Sequence, residues 1–164
     1  MFNIVLVEPE IPQNTGNIVR TCHATGCRLH LIRPLGFDVS DRYLKRAGLD
    51  YWDEVEIFYY DSFDELKAKF PSARFWYFTT KGLNRYSDAA FEKGDFLVFG
   101  KETKGLPEEL LIKNRQNCLR IPMIGETRSL NLSNSVAIAV YEALRQQNFE
   151  GFKTEGQLHN LKWD

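Results

Sequence analysis

The chain has 164 residues with 43% hydrophobic and 26% charged side chains, ordinary for a soluble globular protein and long enough to bury a core without staples. A net charge of −1 argues against a protein that is basic all over, no apolar run reaches membrane-span length, and Met1-Phe-Asn-Ile-Val enters a strand with no basic leader. Three cysteines without a secretion signal read as free thiols in a reducing cytoplasm.

Strand and helix patterns alternate along the chain. Asn3 to Val7 reads as a buried strand, Asn14 to Thr25 as a helix entered through Pro12-Gln-Asn, and Arg28 to Ile32 as a second strand. Ser40 is suited to cap a short helix from Asp41 to Ala47, stopped by Gly48. A strand from Val55 to Tyr59 follows, then a helix capped by Ser62 and closed by Pro71. Phe75 to Phe78, Asp95 to Phe99 and Cys118 to Ile121 read as strands. Pro107 suits the first turn of a helix running to Lys113, and Ser133 or Asn134 begins a final helix to Gln147. This rhythm predicts one α/β domain over residues 1–151 with a mostly parallel sheet flanked by helices, followed by a polar tail, 152–164.

The final helix is apolar on two sides: Val136, Val140, Ala143 and Leu144 on one, Ile138 and Tyr141 on the other. A domain of this size rarely covers both sides by itself, so a second copy is the simpler cover for the other; a helix well buried within its own domain is the alternative. Which side meets the second copy is open at this level.

The candidate chemistry lies in loops after strands, where open parallel sheets place ligands. Gly100-Lys-Glu-Thr-Lys-Gly105 has P-loop glycine spacing, but Leu106-Pro107 stands where Lys-Ser/Thr must reach phosphate and magnesium. No G-x-G-x-x-G follows a strand and no G-x-S-x-G elbow is present. Cys22, His23 and Cys27 resemble a metal cluster only on paper, because a helix points them in different directions. The run Glu8-Pro-Glu-Ile-Pro-Gln-Asn-Thr-Gly-Asn-Ile-Val-Arg20 opens a helix with Asn14, Thr15, Gly16 and Asn17, an anion-ready start with Arg20 one turn in; a well-capped helix with a surface arginine is the alternative. Basic residues (Arg42, Lys45 and Arg46; Lys81 and Arg85; Lys101, Lys104 and Arg128) flank loops near strand ends, a placement that suits a phosphate backbone; solvated surface charges are the alternative.

Three segments, taken together, carry a resemblance: Glu8 to Arg20, Phe99-Gly-Lys-Glu-Thr-Lys-Gly-Leu106, and Ile121-Pro-Met123 with Ser129-Leu-Asn-Leu-Ser-Asn-Ser135. In this order the chain resembles the SPOUT (trefoil-knot) RNA methyltransferases, and within them the branch that methylates the 2′-hydroxyl of the tRNA wobble nucleotide. Arg46-Ala-Gly-Leu-Asp-Tyr51 and Thr79-Thr-Lys-Gly82 extend the likeness, which runs from residue 1 to about Gly151.

The resemblance implies a C-terminal trefoil knot, a cytoplasmic homodimer, and S-adenosyl-L-methionine as methyl donor, released as S-adenosyl-L-homocysteine, with no metal. It implies cofactor contacts at Phe78, Thr79, Gly100, Ile121, Met123, Ser129, Leu130 and Asn134. It places Arg20, Asn14, Asn17 and Glu102 at the reacting centre, and Arg42, Lys45, Arg46 and Arg128 against the RNA. The implied substrate is the ribose of cytidine or uridine 34 in a tRNA anticodon stem-loop, in leucine isoacceptors. A different RNA substrate, or a catalytically silent RNA-binding homodimer of the same fold, remains as an alternative.

Overall fold

The computed structural model describes residues 1–40, 42, 51–126 and 128–163. Among them, seven parallel strands form one sheet in the order β3-β2-β1-β6-β4-β7-β5. They are β1 (Asn3–Val7), β2 (Arg28–Ile32), β3 (Ile57–Tyr60), β4 (Phe75–Phe78), β5 (Asn84–Arg85), β6 (Phe96–Phe99) and β7 (Cys118–Arg120). Four helices are named here in chain order: α1 (Pro12–Thr25), α2 (Phe63–Lys69), α3 (Glu108–Lys113) and α4 (Leu132–Gln146).

Strands covered on both faces are mostly apolar, and β1 and β6 are buried throughout, with Asn3 the one polar residue among them. Their side chains divide by parity. Ile4, Leu6, Leu97 and Phe99 share one core with Ile18, Val19 and Cys22 of α1 and Val136, Ala139, Val140 and Ala143 of α4. Val5, Val7, Phe96 and Val98 share the other with Leu66 of α2, and Leu110 and Leu111 of α3 pack against it. The expected three-layer α/β architecture is therefore present.

The boundaries moved where local hydrogen bonding overrides hydrophobic pattern. α1 begins at Pro12, two residues before the expected Asn14, because proline with its fixed φ suits a first helical turn. α4 is capped by Asn131, whose side chain accepts from the amides of Ser133 and Asn134; those two are inside the helix rather than its cap. Pro107 precedes α3 as its cap residue instead of entering it. β3 starts at Ile57 rather than Val55, and the two-residue edge strand β5, paired to β7, was not expected. Ser62 caps α2 as its sequence indicates, accepting from the Glu65 amide. The expected helix from Asp41 to Ala47 falls outside the described residues apart from Arg42.

The two sides of α4 are now distinguished. Val136, Val140, Ala143 and Leu144 are buried in the chain's own core, while Ile138 is 36% and Tyr141 47% exposed. Cys22, Cys27 and Cys118 are buried free thiols, and His23 is at the surface beside Glu54, so the apparent Cys-His cluster does not converge. No helix among the described residues is long and apolar enough to cross a membrane.

His30 of β2 is 1% exposed, and its ring is held by hydrogen bonds. Nε2 lies 3.1 Å from Asn3 Oδ1, which can only accept, so Nε2 carries the proton and Nδ1 accepts from the Tyr60 hydroxyl at 3.0 Å. Burial, reinforced by the nearby Arg28 charge, pushes the histidine pKa down to about 4. The unfolded chain takes up this proton near pH 6.5, so the stabilisation is complete above that pH and lost as pH falls toward 4. Its size is roughly 3 kcal/mol. Denaturant titrations from pH 7.5 to 4 should show the stability gap between wild type and His30→Gln narrowing by about that amount. A gap independent of pH would remove His30 from the acid response.

Candidate functional site

The C-terminal ends of β1, β4, β6 and β7 open into a cleft of about 770 Å³, within the range of small-molecule sites. Beside the loop after β4, which contributes Thr79, Thr80 and Lys81, three loops build it: the turn from β1 into α1, the loop after β6, and the segment between β7 and α4. They are joined by a reciprocal clasp. The Glu102 carboxylate accepts from the backbone amides of Glu10 at 2.8 Å and Ile11 at 3.0 Å, donors that the start of α1 leaves without a helical partner. In return the Glu10 carboxylate accepts from the Thr103 amide at 3.1 Å and hydroxyl at 2.7 Å, which holds its pKa below the usual range.

Asn14 extends the clasp to the third loop. Its amide nitrogen donates to Glu102 Oε1 at 3.3 Å, and its oxygen accepts from Asn131 Nδ2 at 3.0 Å. Asn131 Oδ1 in turn accepts from the Ser133 amide and hydroxyl, at 2.9 and 2.6 Å. A single buried asparagine thus ties the β6 loop to the start of α4. Arg128 adds a bond to the Thr103 carbonyl at 3.3 Å.

Backbone shape is exacting here. A Cβ on Gly100 would overlap the backbone of Gly105 and Leu106, which return beside it through the Lys101–Gly105 bridge. Glycine at 100 is therefore required by the loop's closure on itself. Glu8, at the exit of β1, is held at φ 53°, a conformation uncommon for a residue with a side chain. Its amide is bound by Ile32 O at 3.0 Å and its carboxylate lies 3.7 Å from Lys101 Nζ.

The cleft lining includes Asn14, Phe78, Thr79, Gly100, Glu102, Ile121, Met123, Arg128, Ser129 and Leu130 of the sequence-derived set. Phe78 stacks on Phe99 with ring centroids 4.8 Å apart, giving the cleft an apolar floor. Asn134 is outside the lining, its amide spent on Asn131. Asn17 and Arg20 lie on the exposed side of α1, with the Arg20 guanidinium 5.6 Å from the Tyr51 ring centroid. Arg42 is exposed, and Lys45 and Arg46 lie outside the described residues.

Sequence reasoning missed Glu10, Thr103 and Asn131. Asn131 was within reach, since asparagine two residues before serine at a helix start is a capping signal. Glu10 and Thr103 meet across 93 positions, which no local pattern reveals. Among the described residues, no group of three or more His, Cys, Asp or Glu side chains is placed to hold a metal ion.

Replacing Asn14 should expose the clasp's logic. Asn14→Ala removes the acceptor of the exposed Asn131 amide, which water can replace, and should cost about 0.5–1.5 kcal/mol. Asn14→Asp keeps that acceptor but sets a carboxylate against Glu102, so it should be the less stable variant at pH 7 and recover toward Asn14→Ala as the pH falls to 4. Thermal unfolding of both variants across that range is the check; an Asp variant as stable as wild type at pH 7 would contradict the contact.

The profile of the SpoU rRNA methylase family matches residues 1–141. A Listeria monocytogenes (serotype 4b, strain F2365) protein, named provisionally as a tRNA (cytidine(34)-2′-O)-methyltransferase, is 61% identical over 150 residues, covering 90% of this chain and 89% of its own. A solved structure concerned with the 2-OH methylation of C/U34 on tRNA superposes with a TM-score of 0.85 at 50% identity, covering 92% of this chain and 98% of the other. An AdoMet-bound rRNA methyltransferase from Sinorhizobium meliloti gives a TM-score of 0.78 at 26% identity, over 88% of this chain and 56% of its own. With this fold, this cleft and these relatives, the chain belongs to the SpoU methylase family, within the SPOUT fold its motifs resemble.

Proposed function

We propose that the protein is an S-adenosyl-L-methionine-dependent tRNA 2′-O-methyltransferase acting on the ribose of cytidine or uridine 34. The observation that carries this is the clasped cleft, whose three loops are the three motif segments and are joined through Asn14 and Glu102. The relatives described above support the choice of nucleotide.

The cleft fits the proposed methyl donor. Phe78, Ile121, Met123 and Leu130 supply apolar walls for a purine, and the backbone around Gly100 and Thr79 supplies amides and carbonyls to read its edge. When bound, the donor presents a methyl carbon on a positively charged sulfur, already a good leaving group. The chain's own work is to align the ribose hydroxyl and assist loss of its proton.

In this reading Glu102 is a positioning residue, because its carboxylate already receives three donors from the α1 start. Asn14 holds the same junction. A guanidinium carries donors and no acceptor, so in this reading Arg20 does not take the hydroxyl proton but clamps a phosphate and stabilises the forming alkoxide, with Asn17 beside it. Because Arg20 lies outside the cleft lining of its own chain, bound RNA or a second subunit must bring it to the hydroxyl. Lys81, Lys101, Lys104 and Arg128 line the mouth and give the polyanion a basic approach. The trefoil knot belongs to the same proposal; the contact of Arg128 with Thr103 supports passage of the last segment beside the β6 loop.

A tritiated-methyl transfer assay on total tRNA, with the product nucleoside mapped by mass spectrometry, tests the activity; label absent from nucleotide 34 would overturn it. Arg20→Ala should lower transfer by ~10²–10³. Calorimetry of the same variant should show S-adenosylmethionine binding retained, and its loss would take Arg20 out of the proposed role.

A homodimer completes the reading, and the exposed Ile138 and Tyr141 face of α4 supports it. Such a twofold contact is self-complementary, so one substitution is felt twice. Tyr141→Asp should convert a two-chain particle in light scattering to one chain or to unfolded material. A wild-type mass of one chain at micromolar concentration would refute the dimer.

A further inference from the structure

A second, shallower cleft of about 800 Å³ lies at the C-terminal ends of β2 and β3 and takes no part in the clasp. Arg33, Leu35, Phe37, Asp38, Tyr59 and Asp61 line it. The Arg33 guanidinium sits over the Tyr59 ring, 5.2 Å from its centroid, and is held from the side by Asp61 Oδ1 at 3.1 Å. Its side chain is nevertheless about half exposed. Phe37 and Tyr59 are both partly exposed.

We propose that this cleft holds an unpaired base of the substrate RNA, near the nucleotide whose ribose is methylated, by stacking it against Phe37 and the Arg33–Tyr59 pair. The inference rests on the reading of the chain as an RNA methyltransferase. Planar guanidinium and aromatic surfaces are what splayed-out RNA bases stack on. The charges select a base over the backbone. Asp61 is paired with the Arg33 guanidinium and Asp38 lines the same cleft, so two carboxylates repel phosphate but can accept hydrogen bonds from the amino or imino groups of a base. Asp38 is kept ionised by the Ser40 amide and hydroxyl, at 2.8 and 2.7 Å.

The loop that borders the second cleft packs on the segment that borders the first. Gly36 N donates to Pro9 O at 2.9 Å, and a Cβ on Gly36 would stand 2.7 Å from Glu10 Cα. The loop after β2 therefore rests directly on the segment that Glu102 clasps. In the strand order, β2 and β3 lie two and three places from β6, an offset of about 10–14 Å along the sheet edge. A nucleotide close in sequence to the reacting one can span that distance.

The test uses a synthetic anticodon stem-loop carrying 2-aminopurine at one loop position at a time, titrated with the full-length protein. At least one position other than the methylated nucleotide should change fluorescence on binding. Phe37→Leu and Arg33→Ala should abolish that change and weaken binding about tenfold, while Phe37→Trp retains both, since a ring and not mere bulk is needed. The salt slope of binding should be the same for Arg33→Ala as for wild type, because Arg33 neutralises no phosphate and so releases no counterion. A response that survives Phe37→Leu and Arg33→Ala, or a slope that falls by about one unit in Arg33→Ala, would overturn the base contact. Wild-type methyl transfer without any cleft response would sink this inference alone. A cleft response without methyl transfer would sink the activity and leave the base site standing, and failure of the wild type to bind any RNA would sink both.

Discussion

The site depends on one buried amide. Asn14 is 6% exposed, and its two polar atoms are fully used, one toward Glu102 and the other toward Asn131. An asparagine is the residue that can donate to a carboxylate and accept from a second amide through one planar group. Remove it and the Glu102 carboxylate and the Asn131 amide, in segments 88 and 117 positions away, lose the group that orients both. Loops alone have few packing contacts to fix them; here hydrogen bonds to charged groups, stronger than neutral ones, do that work.

The clasp is possible because a parallel sheet gathers strand ends at one edge. β1 and β6 are adjacent and β4 is next, so the loops after Val7, Phe99 and Phe78 emerge side by side although far apart in sequence. The start of α1 then meets the β6 loop with its unpaired amides facing a carboxylate. This is the ordinary attraction of a helix N-terminus for negative charge, used to fix a loop rather than to bind a ligand.

Much of the frame was legible in the sequence because burial imposes a pattern. The apolar runs Asn3 to Val7 and Phe75 to Phe78 became strands with the expected limits, and Ser62 capped its helix. The two-sided apolar helix α4 was also legible, and only the structure could say that Val136 and Val140 face inward. Backbone-lined sites leave no such pattern. Gly100, Thr79 and Ser129 are unremarkable residues whose meaning lies in where their loops stop, so the site reading leaned on family likeness rather than on chemistry visible in the residues. The Glu10–Thr103 bond and the edge pairing of Asn84 and Arg85 depend on tertiary contacts that spacing does not encode.

The placement of α1 links chemistry to assembly. Asn14 and Arg20 are six positions apart, which a helix of 3.6 residues per turn sets on different sides. Asn14 is buried against the cleft, while Asn17 and Arg20 stand outward on one exposed stripe. One helix therefore serves two surfaces. Its inner side fixes the loops that shape the cleft, and its outer side offers a cation to whatever docks there. Under the role proposed for Arg20, a reacting centre that draws on both sides is complete only when RNA or a second chain closes over α1, and a ligand can occupy the cleft before that.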